Sequence, residues 1–237
     1  MSKLYFFRHA QASYGSKNYD QLSPLGEQQS AELGTYLVQK NFHFDKIFVG
    51  PLERQKHTFQ IVSEIFQKNN KTLPKPTFLE ELKEHQGPEG FRKVLPELMK
   101  SNPQIKKWYD EITENPKLMK RNSLLSFQYF MDEWSLGNIE VEGIESWSSF
   151  RMKVQKGLNF ILENTDKGET VGAFTSGGTI SAITAEALNL KDEKRVATMN
   201  FSVRNTSFTS FLFSKNQFNL LSFNELPHLE GEMVTFV

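Results

Sequence analysis

The stretch Leu4-Tyr-Phe-Phe-Arg-His-Ala-Gln11 decides how this chain is read. Apolar and aromatic residues run straight into an arginine and a histidine. Such a run predicts a buried strand over residues 3–7 that delivers Arg8 and His9 to its carboxyl end. Taken alone, His9 is better explained as a polar residue that closes a strand. The rest of the chain separates the two readings.

Working outward, Ser23 and Pro24 have the pattern of an N-cap and a first helical position, and Leu33 and Leu37 share one face of the helix they open. Residues 45–50 predict a second strand. The segment after it spaces Phe59, Val62 and Phe66 at i, i+3 and i+7, the period of an amphipathic helix. Residues 169–174 predict a third strand, Ser176-Gly177-Gly178 a turn, and residues 180–188 a helix of good formers. Residues 206–213 and 218–223 read as a hairpin of edge strands, which makes the sheet mixed. Strand followed by helix, three times over, predicts an α/β fold. We expect a three-layer α/β/α arrangement with a mostly parallel central sheet.

The alternation breaks over residues 91–143, where helical pieces at 92–100, 104–114 and 124–136 are punctuated by Pro96, Pro103 and Pro116. The expectation is a single domain over 1–237 with an inserted helical cap at 91–143. Residues 100–121 hold six Lys or Arg against three Asp or Glu, whereas 132–145 hold five acids and no base. This unevenness fits a solvated surface, or a lid with one basic face. A clean helix returns with Trp147, Phe150, Val154, Leu158 and Ile161 as its buried stripe.

Composition narrows the function. The chain of 237 residues can bury a core without staples. Lys plus Arg equals Asp plus Glu at 28 each, so no global field gathers nucleic acid or an anionic membrane. Any anion affinity has to be local. The absence of cysteine excludes disulfides, thiolate nucleophiles and Cys-based zinc sites. No secretory h-region and no apolar run of about 18 residues is visible, and the expected compartment is the cytoplasm. Nothing in the sequence assigns an oligomeric state.

In an open α/β sheet, ligands bind beyond the carboxyl ends of the strands. Arg8 and His9 follow the first predicted strand, Arg54 lies in the first helical turn after the second, and Ser176-Gly177-Gly178 follows the third. Guanidinium groups are permanent charges with a fork that matches phosphate oxygens. A glycine turn at a helix start adds backbone N–H donors. Phosphate, or a mimic of it, is the natural ligand of such a rim.

These residues carry a resemblance. Arg8-His9-Ala10 after a strand, then Asp20-Gln-Leu-Ser-Pro-Leu-Gly26, then Gly50-Pro-Leu-Glu-Arg54, resembles the phosphoglycerate mutase-like branch of the histidine phosphatase superfamily over about residues 3–90 and 144–213. The resemblance implies that His9 attacks phosphorus to form phosphohistidine, that Arg8 and Arg54 bind the phosphoryl group, and that Glu84 protonates the leaving oxygen. Glu81 is the second choice of acid. Ser176 and Gly177 would complete the phosphate site. The implied activity is hydrolysis of a small phosphorylated metabolite, without metal or cofactor and without a nucleic-acid or membrane partner.

Two positions depart from that pattern. Ala10 stands where the signature has glycine, and Ser176 stands where the family normally shows a second histidine before Gly-Gly. The second departure opens an alternative, a phosphate-binding module with weak or no turnover. Phosphoryl transfer of the mutase type is a further one. His85 is the nearest stand-in by sequence for the missing histidine, while His43, His57 and His228 sit elsewhere. Ser176, Asp192 and His228 also follow the order of a serine hydrolase triad, but Phe174 replaces the first glycine of the nucleophile elbow. No metal-ligand spacing, Walker loop or dinucleotide glycine motif is found.

Overall fold

The computed structural model describes residues 1–13 and 20–236. The chain divides into two compact units. One comprises the described parts of 1–84, 153–191 and 199–237, and the other 85–152 and 192–198.

In chain order, the first unit begins with β1 (Ser2–Arg8), α1 (Pro24–Gln39), β2 (Lys46–Val49), α2 (Glu53–Lys68) and β3 (Thr77–Phe78). The helices α3 (Gly87–Ser101), α4 (Pro103–Glu114) and α5 (Met119–Ser135) then belong to the second unit, and α6 (Trp147–Glu163) leads back. There follow β4 (Thr170–Thr175), α7 (Gly177–Ala187), α8 (Glu193–Asn200), β5 (Phe208–Ser214) and β6 (Gln217–Glu225). The strands form one sheet in the order β3-β2-β4-β1-β5-β6. Pairing is parallel from β3 through β1 and antiparallel from β1 through β6. The fold class is therefore the α/β arrangement expected from the sequence.

β1 is buried on both faces, as an internal strand must be when helices cover its sheet. Phe7 stacks on Phe174 at 4.9 Å between centroids, whereas Phe6 meets Phe211 edge-on at 6.0 Å. Phe7 and Phe174 join Leu33 and Leu37 of α1 and Phe59, Val62 and Phe66 of α2 in one apolar cluster. The helical faces read from the 3.6-residue period thus cover the sheet. The stripe of α6, from Trp147 to Ile161, is also buried throughout.

One expectation changes, and two details are added. Both tail strands were expected at an edge, yet β5 lies inside the sheet because its second side pairs with β1. The short β3 forms the opposite edge, and its two exposed residues carry no pattern long enough to read. Pro96 does not interrupt α3. It sits on an exposed turn, where water can take the Arg92 carbonyl that its missing N–H leaves without a helical partner.

The second unit has its own aromatic core. The ring of His85 meets Trp134, Trp147 and Phe150 at 5.3–5.9 Å, and Phe130 stacks on Trp134 at 5.9 Å. No helix among the described residues is long and apolar enough to cross a membrane.

Candidate active site

The parallel pairing of β1 with β4 sets the site's geometry. Arg8 lies opposite Thr175, and the N–H of His9 donates to the Thr175 carbonyl at 2.8 Å. His9 therefore leaves its strand at the level where Ser176 leaves the neighbouring one. The His9 carbonyl accepts from Asn205 Nδ2 at 3.2 Å and from the Thr206 N–H at 3.4 Å. Thr206 makes that contact at φ 56°, a left-handed conformation that β-branched residues rarely adopt. On the other side, Ala10 N–H donates to Thr58 Oγ1 at 3.0 Å. Ala10 is fully buried, so its methyl group is accommodated where the family signature has glycine.

The hydrogen bonds of His9 define its tautomer. Arg54 Nε can only donate, and it lies 3.1 Å from His9 Nε2, so Nε2 presents its lone pair. Nδ1 then carries the proton and donates to the Ala10 carbonyl at 2.7 Å. The side chain is 4% exposed. Burial first, then the charges of Arg54 and Arg8, hold the imidazole well below the usual histidine pKa, and the Ala10 bond opposes this only in part. At neutral pH the ring is uncharged, with the Nε2 lone pair turned to Arg54.

Arg54 stands in the first turn of α2, where the helix dipole adds positive potential. Its Nη1 pairs with Asp20 Oδ1 at 2.7 Å, and Asp20 Oδ2 accepts from the Glu53 N–H at 2.9 Å. Asp20 was not singled out in the sequence, where it reads as an ordinary residue of a polar loop. Arg8 Nη1 donates to the carbonyls of Val203 and Phe236, the latter at 2.6 Å.

At the start of α7, the Gly178 N–H donates to Glu84 Oε2 at 3.1 Å. Gly177 is required by close approach, since a Cβ there would lie 2.5 Å from Asn200 Oδ1 and 3.5 Å from Arg8 Nε. Arg8, Gly177, Gly178 and Glu84 therefore share one end of the sheet. The stem of Glu81 instead packs against Gly157 of α6. Of the two acids weighed from the sequence, Glu84 is the one at the α7 start.

The remaining histidines lie elsewhere. His85 Nδ1 accepts from the Gly87 N–H at 3.1 Å within the aromatic core of the second unit. His43 pairs with Asp45 at 3.4 Å on the surface. His57 follows Arg54 by three residues on α2 and is partly buried. His228 Nε2 lies 3.0 Å from Thr206 Oγ1, and burial lowers its pKa to about 4. Ser176 accepts from Gln55 Nε2 at 2.8 Å, and Asp192 pairs with Arg195 at 3.2 Å. The three members of the serine-triad order thus each hold other partners. Among the described residues no group of three or more His, Cys, Asp or Glu side chains could hold a metal ion. A pocket of about 500 Å³ opens in the second unit beside Trp134 and Trp147, and none of the rim residues lines it.

A mostly parallel sheet with arginines and a neutral histidine at its carboxyl rim defines an α/β protein of the phosphoglycerate mutase-like kind. The chain belongs to the histidine phosphatase superfamily, branch 1, whose family model matches residues 4–128 and 119–226. A broad-specificity phosphatase of Saccharomyces cerevisiae is 31% identical over 74 residues, spanning 29% of this chain and 32% of that protein. The match thus covers about a third of the yeast protein's length. Among solved structures, a phosphoserine phosphatase mutant from Entamoeba histolytica in complex with phosphoserine has 20% identity and a TM-score of 0.64, covering 97% of this chain and all of that one. A phosphoglycerate mutase from Bacillus anthracis has 18% identity and a TM-score of 0.66, with 96% and 94% covered. At these identities the two structures speak for the fold.

Proposed function

We propose that the chain is a metal-independent phosphatase of small phosphomonoesters, working through phosphohistidine at His9. The observation that carries this reading is the His9 imidazole, neutral, protonated at Nδ1 and facing the Arg54 guanidinium with its Nε2 lone pair. In the first step Nε2 attacks phosphorus and the bond from phosphorus to the ester oxygen breaks. Glu84 gives its proton to the departing oxygen. Arg8 and Arg54 offset charge on the phosphoryl oxygens, the electrostatic support on which phosphoryl transfer depends. In the second step water attacks the phosphohistidine, Glu84 takes its proton, and phosphate leaves with His9 restored. The yeast broad-specificity phosphatase, to which part of the chain is similar, supports hydrolysis over transfer to a second alcohol.

The test is phosphate release from an aryl phosphate in the presence of chelator, wild type beside His9→Ala. Release by the wild type alone is the expected result. Undiminished release by the variant would overturn the mechanism. Silence from both, with the wild type stabilised against heat by inorganic phosphate, would indicate a binding module.

A further inference from the structure

The buried carboxamide of Gln55 has a fixed polarity. Its Oε1 faces the Leu52 N–H at 3.1 Å, a group that can only donate, and its Nε2 faces the Leu82 carbonyl at 3.2 Å, a group that can only accept. These two partners orient the amide, and its second Nε2 hydrogen goes to Ser176 Oγ at 2.8 Å. Ser176 therefore accepts from Gln55, and its own proton must go to another acceptor. Among the described residues no acceptor pairs with that proton, although Ser176 is fully buried. Leaving such a donor unsatisfied is costly, which points to a ligand that completes it.

Gln55 also joins three parts of the rim. The Leu82 carbonyl it holds accepts as well from Thr175 Oγ1 at 2.7 Å, two residues before Glu84 and one before Ser176. Space for the amide exists because residue 50 is glycine. A Cβ there would lie 2.1 Å from Gln55 Oε1.

We propose that Gln55 is the positioning residue which aims the Ser176 proton at the phosphoryl group that the resemblance assigns to Ser176. This deepens the phosphatase reading and rests on it. Gly50, Gln55 and Ser176 then form one interdependent set, in which a neutral hydroxyl donates at the start of α7.

The test is calorimetric binding of inorganic phosphate to wild type, Ser176→Ala, Gln55→Met and the double variant, with thermal midpoints recorded for each. Ser176→Ala should weaken binding roughly ten- to a hundredfold, the worth of a hydrogen bond to a charged group. Gln55→Met should cost a similar factor, and the double variant should bind no more weakly than the weaker single one, because both remove the same donor. If Gln55→Met does not fold, Gln55→Glu replaces it: it keeps the acceptor for Leu52 and removes the donor to Ser176. A merely structural Gln55 would lower the thermal midpoint and leave the phosphate affinity unchanged. Wild-type affinity in Ser176→Ala, or losses that multiply in the double variant, would overturn the proposal while leaving the phosphatase reading in place. Failure of the wild type to bind phosphate would remove both.

Discussion

The helices α1 and α7 both start at a serine in extended conformation, and they use it differently. Ahead of α1, Ser23 Oγ accepts from the Gly26 N–H at 3.0 Å, with Pro24 at the first helical position. The helix closes on itself as an N-cap requires. Ahead of α7, Ser176 has the same kind of backbone but makes no cap bond. Its hydroxyl serves Gln55, and the nearby Gly178 N–H goes to the Glu84 carboxylate. One helix start has an N–H satisfied by its own serine, while at the other an N–H goes to the Glu84 carboxylate and the serine hydroxyl accepts from Gln55. The difference separates a serine that caps its own helix from one whose hydroxyl is held by a distant side chain.

Several changes would break or sharpen that contrast. The largest effect is expected at Arg54, which faces both His9 and the region where phosphate would bind. Arg54→Ala should lower kcat/KM for an aryl phosphate by roughly 10²- to 10³-fold, the usual cost of removing a preorganised donor from a transition state. Steady-state kinetics check this, and an undiminished rate would reduce Arg54 to a partner of Asp20.

The buried His9 and the partly buried His228 extend the comparison to acid. His228 lies against Thr206, and its pKa falls from the ordinary 6.5 to about 4 through burial. Below pH 6.5 the unfolded chain binds a proton there that the folded chain refuses, so stability should decline as pH falls and level off below about 4. At pH 5 this share is on the order of 2 kcal/mol. Urea unfolding at pH 7.5 and pH 5 should show it in the wild type, and His228→Gln should lose less on acidification. The residual acid sensitivity of that variant would include His9, whose pKa is depressed in the same direction. An identical pH response in both proteins would contradict the assignment.

The smallest effect is expected at the α1 cap. Ser23→Ala should cost about 1 kcal/mol of folding stability and leave phosphate affinity untouched. Denaturant midpoints and phosphate titration measure the two sides. A loss of affinity in Ser23→Ala would erase the distinction between the two serines.

Much of this was legible in the sequence, for identifiable reasons. β1 could be read because Leu4 to Phe7 end abruptly at charge, and α2 because Phe59, Val62 and Phe66 keep the helical period. The α1 start carried its own cap signal in Ser23 and Pro24. The placing of His9, Arg8 and Arg54 at one rim was legible because each follows a predicted strand. β3 was not, since two exposed residues carry no period. Asp20 and Gln55 were missed for a different reason. Each acts through a contact across tens of residues, Asp20 with Arg54 and Gln55 with Ser176, and polar residues near helix starts are common. Asn205 and Thr206 gave no signal either, because a left-handed Thr206 follows from what it must reach, the His9 carbonyl, and not from local propensity.

The central claim is that the imidazole of His9, and no other side chain, carries the phosphoryl group. The most direct measurement is rapid quenching of turnover on an aryl phosphate into alkali, which preserves phosphohistidine, followed by mass spectrometry of the peptide holding residues 4–11. The account predicts one phosphoryl group on His9 and none anywhere in His9→Ala. Phosphate carried on Ser176, or turnover with no phosphorylated residue at all, would contradict it.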